Sequence, residues 1–596
     1  MGSNAFYVLA AVIPASSTRL QLFQKCSKRL LGMCLVVLTA TLFIGDVAYA
    51  DNTTYYVDAV SGNDSNSGIS TTSPWRTINK ANTLNLNPGD RLLFKGGQTF
   101  SGNLQLGAED AGLATNPVNV GSYGSGRATI SAGTGTGVRI YNVGGIAVSS
   151  LAVSGAGRSA GNTASGVMIY TDRGSATKFA YVRVANVEVS GFGDAGILLR
   201  AAPPDGTKSG FRDVRITNVS AHDNADAGIE SFGSFSSTAR GWAHKDVYIA
   251  RCRTYNNLGI PNKGSHSGSG IVLGDINGAT IERSVSYNNG ANNNAGGGPV
   301  GVWAWDSNRV TIQHNESYDN KTSTADGGGF DLDGGVTNSI MQYNYSHNNA
   351  GPGYLLAQFA GARAFGNNVV RYNISENDVR KGSYYGAIHI WNDDYYNGGI
   401  RGTEVYNNTI YVSPQSGTTP KAVTIDGPTT NTHLRNNIFV TTGGLPLVDI
   451  VTRSASQQSG LLFQGNDYWS SGYPLKIKHG GTTYSSLSAW RSATGQEKNG
   501  GTNTGMNVNP GLANPGGGGT IGNADLLSTL GSYKLGTNSP MKDAALNLRS
   551  VFGLDPGPTD FYGTSIPQGA SYDLGAHEAS SPRAPGRFGP TRPVVR

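Results

Sequence analysis

The sequence is poor in cysteine and in charged residues. Of its 596 residues, 3 are cysteine and 14% are Asp, Glu, Lys or Arg. Cys26 and Cys34 fall in a segment that we expect to be removed, so Cys252 remains alone and no internal disulfide can form. We expect Cys252 to be a buried core residue rather than a nucleophile. A chain of this size can fold without a disulfide or a structural metal.

A basic surface is also missing from the body of the chain. The formal net charge is +6, but the first 50 residues carry a net +3. The last 14 residues carry a net +4, so the remainder is close to neutral. This distribution excludes the basic stripe that is typical of nucleic-acid-binding proteins. The Pro/Arg-rich tail, residues 580–596, is predicted to be disordered.

The longest apolar run lies near the N-terminus and is too short for a good membrane anchor. Lys25, Lys28 and Arg29 precede the run, which extends from Leu30 to Ile44 and is followed by Ala48-Tyr49-Ala50. This pattern predicts a signal peptide over residues 1–50, with Asp51 as the mature start. We therefore expect a secreted or periplasmic protein with no membrane contact after cleavage; a retained anchor is the alternative.

Amphipathic helical patterns are absent from residues 120–470, where short strand-like segments alternate with glycine-rich turns. Five similar four-residue motifs, such as Ser-Tyr-Asn-Asn, each end in an asparagine. These asparagines are separated by 33, 32, 31 and 29 residues: Asn224, Asn257, Asn289, Asn320 and Asn349. A degenerate sixth motif ends at Asp378. A fixed period of short strands and turns predicts a solenoid whose units bury their apolar faces against their neighbours. The asparagines are predicted to form a ladder of side-chain amides at one turn.

The fold class predicted from this pattern is all-β, a right-handed parallel β-helix solenoid with a short helix-containing N-terminal cap. The cap and first coils span residues 51–119, with a short helix near Ser73-Pro74 that carries Trp75, Ile78 and Ala81. The repeats span residues 120–470. C-terminal coils and a cap follow over residues 471–579.

One strand of each coil can be aligned by the glycine that precedes it. The inward positions are then Ile229, Ser231, Ile271, Leu273, Val302, Ala304, Phe330, Leu332, Tyr354 and Leu356. The outward positions are Glu230, Phe232, Val272, Gly274, Trp303, Trp305, Asp331, Asp333, Leu355 and Ala357, and with a one-residue slip the next coils add His389, Trp391, Thr424 and Asp426. Because adjacent coils lie about 4.8 Å apart, the outward residues are predicted to form one continuous patch.

Both ends of the mature chain resemble a known group of proteins. Tyr55-Tyr56-Val57-Asp58 with Pro74-Trp75 at one end, and Ser539-Pro540 through Asp573-Leu574-Gly575-Ala576-His577-Glu578 at the other, resemble secreted bacterial right-handed β-helix proteins of the pectate-lyase-like superfamily. The resemblance implies action on polysaccharides, by glycosidases with paired carboxylates or by lyases and epimerases of uronic acids. Asp393-Asp394 matches one polygalacturonase motif, but the other two polygalacturonase motifs and the Asp-Pro-His-Asp of alginate epimerases are absent.

Asp331 and Asp333 are the candidate catalytic pair. They lie two residues apart on one strand face, with a backbone separation of roughly 6.5 to 7 Å. Glycosidases pair a protonated with an ionised carboxyl, and this separation falls at the lower end of the inverting range. Asp333-Gly334-Gly335 could instead simply end the strand, and the aspartates could bind calcium with Asp306 or Asp326.

Other members of the patch are candidates for supporting roles. Glu230, Asp306 and His389 are the supporting residues, and Trp303, Trp305 and Trp391 are the expected sugar-stacking platforms unless loops bury them.

Three functions remain open from the sequence. The first is a secreted glycoside hydrolase that acts on a polysaccharide or oligosaccharide and needs no cofactor. The second is a calcium-dependent lyase of a uronic-acid polymer, with Lys263, Arg363, Lys381 or His389 as the base. The third is a non-catalytic carbohydrate-binding surface protein. In each case we expect a carbohydrate partner, no nucleic acid, and a monomer.

Overall fold

The computed structural model describes residues 52–158, 161–393, 398–451 and 458–580, and within these ranges the chain forms a parallel β-helix. Each coil contributes a strand to each of three long sheets, called sheets I, II and III here. This confirms the predicted fold. The predicted signal peptide, nearly all of the predicted tail and Asp394 lie outside the described residues. No helix in the described ranges is long and apolar enough to cross a membrane.

Sheet I has more strands than sheet II or sheet III in the described part of the chain. Its strands are, in spatial order, Thr54–Val57, Arg91–Lys95, Val118–Tyr123, Ile146–Ser149, Lys178–Ala185, Gly210–Thr217, His244–Ala250, Ile276–Glu282, Asn308–Gln313, Ile340–Gln342, Val369–Arg371, Ile400–Tyr406, Thr429–Arg435 and Leu461–Gln464, with Phe365–Gly366 also paired to Ile400–Tyr406.

Sheet II carries the predicted outward patch. Its strands are Leu104–Leu106, Val138–Tyr141, Val167–Thr171, Ile197–Ala201, Ala227–Phe232, Ser269–Gly274, Val300–Trp305, Gly328–Leu332, Tyr354–Gln358, Gly386–Asn392, Lys421–Asp426, Val448–Val451, Ile477–His479 and, antiparallel to the last, Thr482–Tyr484. The register confirms the glycine-based alignment, because Asp331 pairs with Trp303 on one side and with Leu355 on the other. The inward positions are all buried.

Sheet III is made of short strands. They are Thr99–Ser101, Ala128–Gly133, Leu151–Gly155, Glu188–Ser190, Ser220–His222, Arg253–Tyr255, Val285–Tyr287, Glu316–Tyr318, Tyr345–His347, Ile374–Glu376, Thr409–Val412, Ile438–Thr441 and Asp467–Trp469. One core of inward side chains from the three sheets runs through the coils, and Cys252 lies in it as predicted. Burial raises the pKa of the Cys252 thiol to about 12, which makes it a poor nucleophile.

The predicted asparagine ladder is present. Each side-chain amide donates from Nδ2 to Oδ1 of the next asparagine, at 2.9–3.1 Å from Asn224 to Asn349, and Asn349 donates to Asp378 at 2.8 Å. A second ladder, which the sequence analysis missed, stacks Asn315, Asn344, Asn373, Asn408, Asn437 and Asn466 and ends on Glu497. Both ladders satisfy buried polar groups at the turns between sheets.

The N-terminal cap contains a helix, but it begins later than predicted. The helix is Ile78–Ala81, and its N-cap is Thr77, whose hydroxyl accepts a hydrogen bond from the Lys80 amide. The predicted start at Ser73-Pro74 is wrong because Trp75 exchanges backbone hydrogen bonds with the first strand, which holds it extended. The Asp64 carboxylate then accepts from the amides of residues 76 and 77, immediately before the helix.

After His479 the described chain leaves the solenoid. It forms the helices Leu487–Thr494 and Leu548–Phe552, the hairpin Lys498–Asn499 with Thr502–Asn503, and the 3₁₀ turns Ala524–Thr529 and Gly531–Tyr533; a further 3₁₀ turn, Ala108–Asp110, lies in the first coils. Residues 514–580 lie across sheet III, where the Glu316 carboxylate accepts hydrogen bonds from the amides of Ile521 and Gly522.

Candidate active site

The outward face of sheet II forms one wall of a cleft of about 810 Å³. Loops that connect sheet III to sheet II form the other walls. The cleft is lined by Glu230, Phe232, Lys263, Ser265, His266, Gly296, Gly297, Gly298, Trp303, Trp305, Ala325, Asp326, Asp331, Asp333, Leu355, Ala357, Phe359, Tyr384, Tyr385 and Trp391. The structure thus brings both candidate catalytic residues, Glu230 and all three predicted tryptophans to one cavity.

Asp331 lies in the middle of the cleft wall. It belongs to the strand Gly328–Leu332, whose alternation directs Phe330 and Leu332 into the core and Asp331 outward. The side chain is only 2% exposed, and Oδ1 has no hydrogen-bond partner among the described residues. Burial raises the pKa of Asp331 well above its ordinary value, and the nearby Asp333 and Asp326 raise it further. Burial thus favours the protonated form of the Asp331 carboxyl.

The sequence left open whether Asp333 belongs to the catalytic pair or simply ends the strand, and in the structure it lies both in the cleft and at the start of a turn. Its amide still donates to the Ala304 carbonyl at 2.8 Å, which continues the sheet, while its Oδ1 accepts from the Gly334 amide at 2.6 Å as a turn begins. Its side chain nevertheless lines the cleft. Burial raises the pKa of Asp333 to about 7, although the Gly334 hydrogen bond opposes the rise. The Gly334 hydrogen bond favours the ionised form of Asp333, and no hydrogen bond has that effect on Asp331.

Asp326 is a third carboxyl of the cleft, and the sequence suggested it only as a calcium ligand. It has a positive φ of 54°, and its carboxylate accepts from the Tyr385 hydroxyl at 3.0 Å and from the Gly298 amide at 2.9 Å. Burial raises the pKa of Asp326, and these two hydrogen bonds lower it. Its position before the glycines of the Asp331 strand gave no signal of this role, because Tyr385 comes from a loop 59 residues away.

The predicted tryptophan platforms differ in exposure. Trp303 is 3% exposed; its Nε1 donates to the Ser269 hydroxyl at 3.0 Å, and its ring meets His266 edge-on at 4.8 Å. The expectation of an open platform is therefore wrong for Trp303, because a loop covers it. Trp305 and Trp391 remain partly exposed in the cleft. Gly274 makes room for Trp305, since a Cβ at position 274 would lie 2.6 Å from the indole Nε1.

Two of the predicted supporting residues lie outside the cleft lining. Asp306 is fully buried and forms an ion pair with Arg363, because the chain turns away from the sheet face after Trp305. His389 pairs with Leu355 on the neighbouring strand, as the alignment predicted. The rings of Tyr384 and Tyr385 cover it, with ring centroids 5.2 and 5.0 Å from that of His389. Burial lowers the pKa of His389 to about 3, so the ring is neutral. Strand alignment could not predict these loops.

Glu230 belongs to a second acidic group at one end of the cleft. One carboxylate oxygen from each of Asp194, Asp226 and Glu230 lies within 4.8 Å of the others, a spacing that could hold a cation. Lys263 already forms an ion pair with Asp226 there. Burial, followed by the charge of Asp226, raises the pKa of Glu230 well above its ordinary value. The Glu230 strand is three coils from the Asp331 strand, or about 14 Å.

Comparisons with known proteins match only parts of the chain. No family model matches it. A segment of 77 residues is 35% identical to lacto-N-biosidase from Bifidobacterium longum subsp. longum, covering 13% of this chain and 5% of that protein. The solved GH136 lacto-N-biosidase from Eubacterium ramulus aligns at 19% identity with a TM-score of 0.48, covering 62% of this chain and 65% of that one. A pectate lyase aligns at 16% identity and a TM-score of 0.33, covering 89% and 97%.

Proposed function

We propose that the protein is a secreted glycoside hydrolase that cleaves a polysaccharide or an oligosaccharide with Asp331 and Asp333. The observation that carries this proposal is the pair of cleft carboxyls at the end of one strand, of which Asp333 accepts a hydrogen bond that favours its ionised form and Asp331 does not. Glycosidases need this difference, because one carboxyl must be protonated while the other is ionised. Secretion is supported by the signal-peptide pattern of residues 1–50.

In this mechanism Asp331 is the general acid. It donates its proton to the glycosidic oxygen as the bond from that oxygen to the anomeric carbon breaks, so the leaving sugar departs as an alcohol. Asp333, ionised, removes a proton from a water molecule whose oxygen bonds to the anomeric carbon. The backbone spacing of the two residues favours this inverting course over direct attack by Asp333.

The remaining cleft lining suits a sugar. Trp305 and Trp391 present partly exposed indole rings on either side of the Asp331 coil, and the apolar face of a sugar ring can stack on them. The segment that resembles lacto-N-biosidase is consistent with a glycosidase. The two observations support a carbohydrate substrate without defining its linkage.

The lyase alternative has weaker support from the positions of its candidate bases. Among Lys263, Arg363, Lys381 and His389, Lys263 alone lines the cleft in the described part of the chain. Lys263 is held by Asp226, and Lys381 donates to the Thr322 carbonyl at 2.7 Å. A lyase base must be unprotonated, whereas the Asp226 charge raises the pKa of Lys263 despite the opposing effect of burial.

The products of the reaction test the proposal. The purified protein should be incubated with a panel of neutral and acidic polysaccharides, and its products separated and identified. We expect new reducing ends, no ultraviolet absorbance from an unsaturated sugar, and the same rate with a chelator present. Unsaturated products together with chelator sensitivity would instead establish the calcium-dependent lyase. Binding without any product would favour a carbohydrate-binding protein.

The pH dependence of kcat/KM should be bell-shaped. On the acidic side the rate should fall as the pH drops through about 7, because Asp333 becomes protonated and can no longer accept a proton. On the alkaline side it should fall when Asp331, whose pKa burial also raises, loses the proton that it must donate. Initial rates at constant ionic strength between pH 5 and 10 measure both limbs. A rate that keeps rising below pH 6 would contradict the assignment of Asp333.

A further inference from the structure

A column of large outward side chains continues from the cleft toward the N-terminal end of sheet II. In the strand register Phe232 is followed by Arg200, Tyr170 and Tyr141, one residue per coil. Phe232 also lines the cleft, so the column, called the arginine–tyrosine track here, is continuous with it. Tyr141 is six coils from the strand of Asp331, a distance of about 29 Å.

The side chains of the track contact one another and remain half-buried. The rings of Tyr141 and Tyr170 stack at 5.7 Å with an angle of 13° between their planes. The Arg200 guanidinium lies 5.1 Å from the Phe232 ring centre and 5.9 Å from that of Tyr170. Arg139 lies over Tyr141 at 4.0 Å. The face thus presents both flat rings and guanidinium groups, which is an arrangement that sugar rings with acidic groups can contact.

The far end of the track opens into a second cavity of about 340 Å³. It is lined by Gln105, Leu106, Gly107, Ala108, Glu109, Arg139, Tyr141, Asn142 and Arg173. One carboxylate that could neutralise its arginines is already engaged, because Asp172 accepts from the Tyr141 hydroxyl at 2.6 Å and from the Asn142 amide at 2.8 Å. Glu109 is the acidic residue in the lining itself.

The arginine of the track and the two arginines of the second cavity lack an ion-pair partner in the described part of the chain. Arg139, Arg173 and Arg200 form no ion pair among the described residues, and Arg200 Nε is a buried donor without a partner there. On sheet I, by contrast, Arg183 and Arg215 form ion pairs with aspartates. The Glu230 carboxyl interacts with Arg200, but burial favours the neutral form of Glu230. Arg139 and Arg200 are partly buried and Arg173 is exposed, and cations that lack an ion-pair partner favour an anionic ligand.

Stacked rings alone would not establish a binding surface. On sheet III a comparable stack joins His222, Tyr255, Tyr287, Tyr318 and His347, with centroids 4.6–5.0 Å apart. Residues 514–580 pack against that sheet, which gives its stack a structural role. The track differs because it borders two cavities, and its arginine and those of the second cavity lack an ion-pair partner among the described residues.

We propose that the substrate is an anionic polysaccharide whose chain runs from the cleft along the arginine–tyrosine track, with acidic groups held by Arg200, Arg139 and Arg173. This inference rests on the proposed function, because that function places the bond that is cleaved at Asp331 and Asp333 and so gives the polysaccharide its starting point in the cleft. A sugar unit of an extended polysaccharide is similar in length to one coil. The acidic groups therefore bind roughly four to six sugars from the bond that is cleaved, by the coil spacing of about 4.8 Å.

Binding in an inactive background tests this inference separately from catalysis. The affinity of the D331N protein for fluorescent oligosaccharides of at least eight sugars is measured with uronic-acid, sulfated and neutral chains. The test variant adds R139Q, R173Q and R200Q. The matched control instead adds R91Q, R212Q and R309Q, which remove the same charge from exposed positions on sheet I.

We expect an anionic chain to bind at least tenfold more tightly than the neutral chain in the D331N protein and in the control. The test variant should lose that preference by tenfold or more. Tighter binding of the uronic-acid chain identifies carboxylates as the ligand groups, and tighter binding of the sulfated chain identifies sulfates. Equal affinities of the test and control variants would overturn the inference, as would a preference for neutral chains. Absence of hydrolysis by the native protein would overturn the proposed function while leaving this result intact.

Discussion

Replacing Asp331 with asparagine should lower kcat by about a thousandfold, within the range of general-acid catalysis. The asparagine has nearly the same shape as the buried, protonated carboxyl but no proton acidic enough to transfer. The substitution removes no hydrogen bond of Oδ1 among the described residues, so the fold and the melting temperature should be preserved. Turnover of a purified oligosaccharide substrate and circular dichroism measure the two expectations.

A second substrate separates the acid from the base. An aryl glycoside with a strongly acidic phenol needs no proton donor, so D331N should recover most of its activity on it, whereas D333N should remain impaired. D246N, which changes an exposed carboxylate on sheet I, should match the native protein on both substrates. Undiminished hydrolysis of the natural linkage by D331N would remove Asp331 from the mechanism.

Replacing Asn320 with alanine should lower the free energy of unfolding by about 1 to 3 kcal/mol. The Asn320 side chain accepts hydrogen bonds from the amide and the Nδ2 of Asn289 at 3.3 and 3.0 Å, and it donates to Ser317 Oγ and Asn349 Oδ1. Alanine leaves the Asn289 backbone amide buried without an acceptor, which is costly, whereas Asn289 Nδ2 still donates to the Thr254 carbonyl and to Ser286 Oγ. Chemical denaturation followed by circular dichroism measures the change.

Asn503 provides the control for the ladder. It is exposed in the hairpin after the solenoid, so N503A should change the free energy of unfolding by less than about 0.5 kcal/mol. A similar small change in N320A would show that water replaces the ladder contact. The Asn320 turn adjoins the loop that carries Asp326. A lower kcat in N320A than in N503A would therefore show that the ladder also holds this part of the cleft in place.

The solenoid could be predicted because its signals repeat. The spacing of the five asparagine motifs predicts the coil length. The glycine before a sheet II strand predicts which of its side chains face outward. Asp331 and Leu355 could therefore be paired correctly without a structure. Even Asp378, which interrupts the asparagine series, occupies the ladder position expected for it.

The walls of the cleft could not be predicted in this way. Loops between strands vary in length, and the register of the sheet does not restrict where they fold. The loop that contains Tyr384 and Tyr385 covers His389 and binds Asp326, and another loop covers Trp303. Asp306 does not line the cleft as predicted. Its backbone has a φ of 45°, which ends the alternation of the strand, and its side chain pairs with Arg363.

The second asparagine ladder was missed because its members stand apart from the recurring motifs used for the alignment. Asn315, Asn344 and Asn373 recur at a 29-residue spacing, as the later members of the first ladder do. Their signal was present in the sequence but required a search for a second series at the same period.

The chain that crosses sheet III links coils that do not touch one another. Tyr533 donates to Glu376 at 2.6 Å, Asp525 contacts Arg283, and Asn436 donates to the Leu546 carbonyl at 2.9 Å. In a simple solenoid each coil contacts only its neighbours, so unfolding can spread one unit at a time from a weak end. Here the unfolding of one coil also disturbs the crossing chain, which contacts other coils. The coils that contact this chain should therefore unfold together, as one cooperative unit.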